Sequence, residues 1–298
     1  MTAGAEALAA RLAGPGGILL APGVFDPLSA LLAEGAGHEA LYMTGYGVAA
    51  THGLPDAGLV GLSQMAERVA LLAARTRLPL IADADTGFGG PLNLRHAVRA
   101  YEAAGAAAIQ IEDQESPKKC GHVAGRRVAP VAEMVRRIRV AAEARSAPGA
   151  LLIVARTDAR TTHGLDEAIR RAEAYARAGA DLLFVESPED EAELARVPRA
   201  LGGLAPVLAN MVEGGRTPVL PAAALEAMGY RLAIHPGLGL RAAARAMRDA
   251  YAALRRTGLP PEAAAPGPGV DLHELLGLRE ALRFEARWLG ATEEDATP

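Results

Sequence analysis

The chain is 298 residues long, half of them hydrophobic but only 4% aromatic, with a formal net charge of −4. That balance lacks the basic footprint of a nucleic-acid or anionic-membrane binder, and no apolar run reaches the ~18 residues that span a bilayer. One cysteine makes an intrachain disulfide impossible; with an N-terminus (MTAGAEALAARLAGPGG) that has no basic n-region and no continuous h-region, this predicts a cytoplasmic protein without a secretory signal.

Eight short apolar runs follow in order: ILLAPGVFD, ALYMTG, LPLIADADTG, AAAIQIED, LLIVARTDA, DLLFVES, APVLANMV and YRLAIHPG. Such near-continuous runs predict parallel strands buried on both faces. Between them lie helical patterns, among them LSQMAERVALLAAR, PLNLRHAVRAYEAAG, VAEMVRRIRVAAEAR and LDEAIRRAEAYARAG, several stopped by glycine (Gly105, Gly179, Gly229). The repeat predicts an α/β fold, a (β/α)₈ TIM barrel over residues 1–257, with a doubly wound open sheet as the alternative. A Pro/Gly-rich connector, PPEAAAPGPG, then leads to VDLHELLGLREALRFEARWLG, expected to be one amphipathic helix within 258–298. That surplus helix is expected to cover an oligomer partner or the barrel bottom of its own chain.

Polar residues gather where the strands should end: Asp26, Thr44, Asp83 and Asp85, Glu112 and Asp113, Arg156 and Asp158, Glu186, Asn210, His235. In barrels that rim builds the active site from several strands. Asp83 and Asp85 are two apart, so on a strand both carboxylates face one way, a pair suited to Mg²⁺ or Mn²⁺; alone, such a pair is often a solvated turn. Glu112 and Asp113 must point to opposite sides, with Glu112 the better candidate for the barrel mouth. Asp56 is placed in a long loop after the second strand. Arg156, always charged, suits a carboxylate clamp, a neutraliser of the acidic cluster, or both.

Of the 31 Lys plus Arg residues, the only lysines are Lys118 and Lys119, directly before Cys120 and two residues from His122. Neighbouring ammonium groups favour thiolate, and Gly121 and Gly125 suit a mobile cover. A lone cysteine is most often a small buried hydrophobe, but SPKKCGH is too polar for that. The loop is therefore expected to be an exposed lid carrying an acid/base thiol over a metal-bound anion.

LYMTGYGVAATHGLPDAG, LIADADTGFG, IQIEDQESPKKCGH, ARTDAR and LANMVEGGRTP together resemble the isocitrate lyase/phosphoenolpyruvate mutase superfamily, from about Ala21 to Met247. The KKCGH lid resembles its cysteine-containing lyase branch, the methylisocitrate and 2,3-dimethylmalate lyases; NMVEGGRTP is also similar to carboxyphosphonoenolpyruvate phosphonomutase. The resemblance implies an Mg²⁺-dependent carbon–carbon lyase that splits a 2-hydroxy di- or tricarboxylate into a 2-oxo acid and a carboxylic acid. The alternatives are the phosphonomutase and an oxaloacetate decarboxylase or hydrolase. It implies metal at Asp83, Asp85 and Asp56. Substrate would lie at Thr44, Gly45, Tyr46, Gly121, Arg156, Glu186, Asn210 and Arg241. Catalysis would rest with Cys120, Lys118, His122 and Glu112. Tyr46 departs from the family's usual S-G-G segment and narrows the pocket. A further carboxylate-binding arginine has no counterpart among residues 258–278, which disfavours a tricarboxylate. A homo-oligomer, a tetramer with the last helix swapped between subunits, is also implied.

Overall fold

The computed structural model describes residues 3–121, 125–261 and 270–289. Its strands are β1 Leu19–Val24, β2 Leu41–Met43, β3 Leu80–Asp83, β4 Ala108–Glu112, β5 Leu152–Thr157, β6 Leu182–Val185, β7 Val207–Asn210 and β8 Leu232–His235. Its helices are α1 Ala3–Ala13, α2 Pro27–Gly35, α3 Gly45–Thr51, α4 Leu62–Ala73, α5 Pro91–Ala103, α6 Val131–Ala144, α7 Arg160–His163, α8 Leu165–Arg177, α9 Glu191–Leu201, α10 Ala222–Met228, α11 Leu238–Thr257, α12 Leu272–Leu275 and α13 Leu278–Leu289. The strands pair in chain order, all parallel, and β8 closes on β1 from Leu19↔Leu232 to Pro22↔His235. Closure establishes the (β/α)₈ barrel and removes the open-sheet alternative.

Side-chain alternation explains both cores. Leu19, Tyr42, Ile81, Ala108, Leu152, Leu182, Phe184, Leu208 and Leu232 face inward and form one buried cluster. Their strand neighbours, such as Met43, Ala82, Ile109, Ile153, Val185 and Ala233, face outward onto the helices in a second. Because successive strand residues point to opposite faces, a polar residue at the last inward position of a strand must enter the barrel mouth. That rule places the site.

The opposite end of the barrel is plugged. Ala5, Leu8 and Leu12 of α1 join the inward cluster at its N-terminal end. Arg231 fastens this plug, its Nε donating to the Leu12 carbonyl (3.1 Å) and Nη2 to that of Gly14 (2.6 Å). The bottom that the last helix was a candidate to cap is therefore filled by the first.

Two compact units are present, Met1–Arg241 and Ala242–Pro298. In the second, the expected single C-terminal helix is two, α12 and α13. Gly277 between them has φ +80, a left-handed conformation that glycine adopts at little cost and that ends a helix. Helix α13 leaves Phe284, Trp288 and Leu289 exposed. Most of the predicted connector, 262–269, lies outside the described residues.

Candidate active site

A cavity of about 620 Å³ opens at the C-terminal ends of the strands. It is lined by Thr44, Tyr46, Asp56, Asp83, Glu112, Lys118, Cys120, Gly121, Arg156, Glu186, Asn210 and Arg241, among others. Six of these twelve follow from inward parity. Tyr42 leads to Thr44, Ile81 to Asp83, Gln110 to Glu112, Val154 to Arg156, Phe184 to Glu186 and Leu208 to Asn210, each two residues on. Asp113, one residue past Glu112, faces outward as expected. Its carboxylate accepts from Thr157 Oγ1 (2.7 Å), the Asp158 amide (2.9 Å), Tyr175 OH (2.8 Å) and Arg171 Nη1 (3.1 Å), tying the ends of β4 and β5 to α8.

Four other rim residues are not site residues. Asp113 is the strut just described. Asp26 caps α2, its Oδ1 accepting from the Ser29 amide at 2.7 Å. His235 faces Glu213 at 3.7 Å. Asp158 is fully buried behind Arg156, outside the cavity lining.

Asp83 and Asp85 do converge, but through a turn rather than along a strand. Strand β3 ends at Asp83, and Asp85 has φ +49, an uncommon left-handed conformation for a non-glycine residue. The Asp85 amide then donates to Asp83 Oδ1 (3.1 Å), while Gly45 N donates to Asp83 Oδ2 (3.3 Å). Gly45 is required there, since a β-carbon would stand 2.6 Å from Asp83 Oδ2. Thr44 caps α3, its Oγ1 accepting from the Gly47 amide at 3.3 Å. The presence of α3 also corrects the long loop expected after the second strand. Asp56 lies in the shorter segment between α3 and α4.

The lysines behave differently from each other. Lys118 is not exposed. It is 6% accessible, and its ammonium group bonds Asp56 and lies 2.9 Å from Asp85 Oδ1. Burial works against its charge, but Asp85, Asp83, Glu112 and Asp56 outweigh burial and hold its pKa well above the ordinary lysine value. Lys119 also lines the cavity but meets no carboxylate among the described residues. Its backbone is clamped by Gln114 (Lys119 N to Oε1, 3.0 Å; Nε2 to Lys119 O, 2.9 Å), and its Nζ donates to the Gly125 carbonyl (3.1 Å). Cys120 is half-buried on the cavity wall. Beside it, a β-carbon at Gly121 would collide with Arg156 Nη2, so backbone closes that wall. His122 lies outside the described residues.

Arg156 is the hub of the adjoining wall. It forms a fork with Asp158 (Nε–Oδ2 and Nη2–Oδ1, both 3.0 Å) and lies 3.3 Å from Glu112 Oε2 and 3.2 Å from Glu186 Oε2. Its guanidinium stacks over the Phe184 ring at 5.2 Å. Asn210 Nδ2 donates to Glu186 Oε2 at 3.0 Å. Arg241 Nη1 donates to the Glu213 carbonyl at 2.6 Å from the rim. Two contributors escaped sequence reasoning. Gln110, which reaches Asp83 Oδ1 at 3.4 Å, is marked by its inward parity; Arg126, which bonds Asp158 from behind, carries no sequence signal.

The charges leave room for a cation. Asp56, Asp83, Asp85 and Glu112 face the single ammonium of Lys118. Burial is the main cause that drives Glu112 well above the usual carboxylate range; Asp158 and Asp83 add to it, while Arg156 and Lys118 oppose. Its Oε1 is buried without a hydrogen-bond partner among the described residues. Among those residues no three acidic, histidine or cysteine side chains close on one point, because Lys118 stands between Asp56 and Asp85. An oxygen-only, electron-rich set with an unsatisfied buried carboxylate atom nevertheless fits a hard divalent ion held partly through water.

Known proteins share this sequence and fold. 2,3-Dimethylmalate lyase of Eubacterium barkeri is 48% identical over 239 residues, 80% of this chain and 82% of that protein. 2-Methylisocitrate lyase of Bacillus subtilis (strain 168) is 44% identical over 241 residues, covering 81% and 78%. A crystal structure of a 2,3-dimethylmalate lyase, described as a PEP mutase/isocitrate lyase superfamily member, superposes with a TM-score of 0.90 at 39% identity over 98% of this chain and 97% of that one. With the phosphoenolpyruvate phosphomutase family model matching residues 8–255, the chain belongs to the PEP mutase/isocitrate lyase family of enzymes.

Proposed function

We propose that this chain is a divalent-metal-dependent carbon–carbon lyase that cleaves a 2-hydroxy dicarboxylate, of 2-methylmalate type, into a 2-oxo acid and a carboxylic acid. One observation carries the reading: a single cavity gathers Asp56, Asp83 and Glu112, the Arg156 guanidinium and the only thiol, with Asp85 joined to it through Asp83 and Lys118. Asp83 and Asp85, with Asp56 and Glu112 beside them, would hold Mg²⁺ or Mn²⁺. When bound, such an ion supplies a Lewis acid for the oxygens of the 2-hydroxy acid and its 2-oxo product.

The chain's own groups perform the remaining work. The Thr44–Gly45 segment and Arg156 orient the C1 carboxylate and the C2 oxygen. Glu112, whose Oε1 has no partner among the described residues, takes the 2-hydroxyl proton, and the C2–C3 electron pair departs onto C3, leaving C2 as the carbonyl carbon of the 2-oxo acid. The departing carbanion is stabilised by its own carboxylate, and Cys120 returns a proton to C3, completing the carboxylic acid. Gly121 keeps the wall beside Arg156 closed against water.

Charge supply favours a dicarboxylate over a tricarboxylate. Arg156 already meets three carboxylates and Lys118 two. Lys119 and Arg241 line the cavity without a carboxylate partner among the described residues; both bond backbone carbonyls. Glu186 and Asn210 line the same cavity, and the Asn210 amide, held by Glu186, suits the second carboxylate end. The test is release of 2-oxo acid from a panel of 2-hydroxy di- and tricarboxylates with Mg²⁺. No release from any member would sink the reading, and oxalate plus acetate from oxaloacetate would favour the hydrolase alternative.

A cytoplasmic homotetramer completes the proposal, with α13 seated on a neighbouring subunit. Exposed Phe284, Trp288 and Leu289 support the assembly; no described helix is long and apolar enough to cross a membrane. A monomer in sedimentation at micromolar concentration would exclude the assembly.

A further inference from the structure

We infer that Arg126 is a positioning residue that acts through Asp158 to set the Arg156 guanidinium. The inference rests on the reading of Arg156 as the substrate-gripping arginine. Arg126 lies just beyond the cysteine loop, on the segment that returns to the barrel, and is 3% exposed. The return segment is pinned immediately after it. Glu115 N donates to the Arg127 carbonyl (2.9 Å), Val128 bridges Gln114, and Ala129 N donates to the Asp113 carbonyl (2.7 Å). From this fixed backbone Arg126 Nη1 bonds Asp158 Oδ1, and Nη2 bonds Thr161 Oγ1.

Asp158 Oδ1 is the same atom that accepts Arg156 Nη2 at 3.0 Å. One fully buried carboxylate is thus shared by two guanidiniums, one facing the cavity and one behind. Its backbone is also fixed, since the Asp158 amide donates to Asp113 Oδ1 at 2.9 Å. The sharing has a consequence for the cavity. Arg156 must divide its charge among Asp158, Glu112 and Glu186 and still grip a substrate oxygen. If Arg126 is removed, Asp158 is left with one guanidinium and draws Arg156 away from the cavity, since an uncompensated buried charge claims whatever partner remains. Arg126 therefore tunes substrate grip without touching the cavity, whose lining excludes it.

The experiment uses the full-length enzyme with Mg²⁺ and reads the dissociation constant of oxalate, a planar dianion shaped like a 2-oxo acid enolate, beside KM and kcat for 2-oxo acid release. Arg126→Met should raise the oxalate Kd and KM together by about ten- to a hundredfold, the range seen when outer-shell partners are removed, while the melting temperature stays high enough for assay. Arg126→Lys, which keeps the charge, should recover most of that loss. Arg127→Met, altering the exposed neighbour that pairs with Glu115, should behave as wild type. Oxalate affinity within twofold of wild type in Arg126→Met, or an equal loss in Arg127→Met, overturns the inference. If Arg126→Met does not fold, Asp158→Asn decides: a wild-type oxalate affinity there overturns it equally. Wild-type enzyme that fails to bind oxalate would instead count against the lyase reading itself.

Discussion

The two sides of the cavity are built differently. The β4–β6 side is nearly saturated: Glu112, Arg156, Asp158 and Glu186 contact one another and Asp113 braces them from outside, leaving Glu112 Oε1 unpartnered among the described residues. The β7–β8 side is sparse, offering Asn210, Ile234, Pro236, Gly237 and, at the rim, Arg241, whose mapped bond is to a backbone carbonyl. A dense charge network is costly to rearrange, because every member leaves another unpaired. The nearly saturated side, with the acidic cluster of β3, therefore suits the step common to all substrates. Shape is easier to vary where few polar bonds must be kept.

The largest effect should come from the acidic cluster. Asp83→Ala should abolish 2-oxo acid release, with the far-UV circular dichroism of the barrel retained. Substantial activity in that variant, or in wild type after exhaustive chelation, would break the distinction between the sides. Next, Cys120→Ser replaces the thiol with a much weaker acid and should lower kcat by about a hundred- to ten-thousand-fold, as loss of a positioned general acid does. Oxalate binding should change little, because its contacts belong to other residues; turnover near wild type would remove Cys120 as the acid.

Acidity gives a smaller and graded effect. The Asp85 carboxyl is pushed up to about 6, chiefly by burial, with Lys118 opposing and Asp83 and Asp56 adding to the rise. Its folded value lies above the unfolded one, so its contribution to stability of the metal-free protein is present below about pH 4 and lost as pH rises through about 6. Metal affinity runs the other way, since a ligand must shed its proton. Mn²⁺ binding followed by calorimetry should weaken about tenfold for each unit below about pH 6 and level off above it. Equal affinity at pH 5 and 7.5 would contradict the assignment. The smallest effect belongs to Tyr46, which is 43% exposed on the cavity wall. Tyr46→Ala should shift kcat/KM between 2-hydroxy acids differing by one methyl group by about tenfold or less, with oxalate affinity little changed. A large loss of oxalate affinity would place Tyr46 with the common machinery.

Much of this was legible in the sequence because a barrel strand is buried on both faces. A continuous apolar run announces the strand, and a polar residue at an inward position announces the mouth, as with Thr44, Glu112, Arg156, Glu186 and Asn210. Features that depend on non-local partners stayed hidden. Lys118 looks exposed in SPKKCGH, but Asp56 and Asp85, brought from other loops, bury it. The left-handed turn at Asp85 cannot be read from a D-x-D pair. Arg126 lies among many arginines, and only the fold brings it to Asp158. Helix α1 carries no such signal, because its small apolar residues acquire meaning only against the barrel interior.

The plug at the barrel base bears on how the chain reaches its folded form. Arg231 and the Leu12 carbonyl it bonds are 219 residues apart, and the β1–β8 seam they brace is the least local pairing in the ring. Until that seam forms, β1 and β8 are open edges, the exposed templates through which partly folded chains pair with one another. The inward Leu19, Leu152, Leu182 and Leu232 also have no cover until α1 arrives. Assembly and protection from aggregation thus depend on the same event, the docking of the first helix against the last strand, at the end of the barrel opposite the cavity.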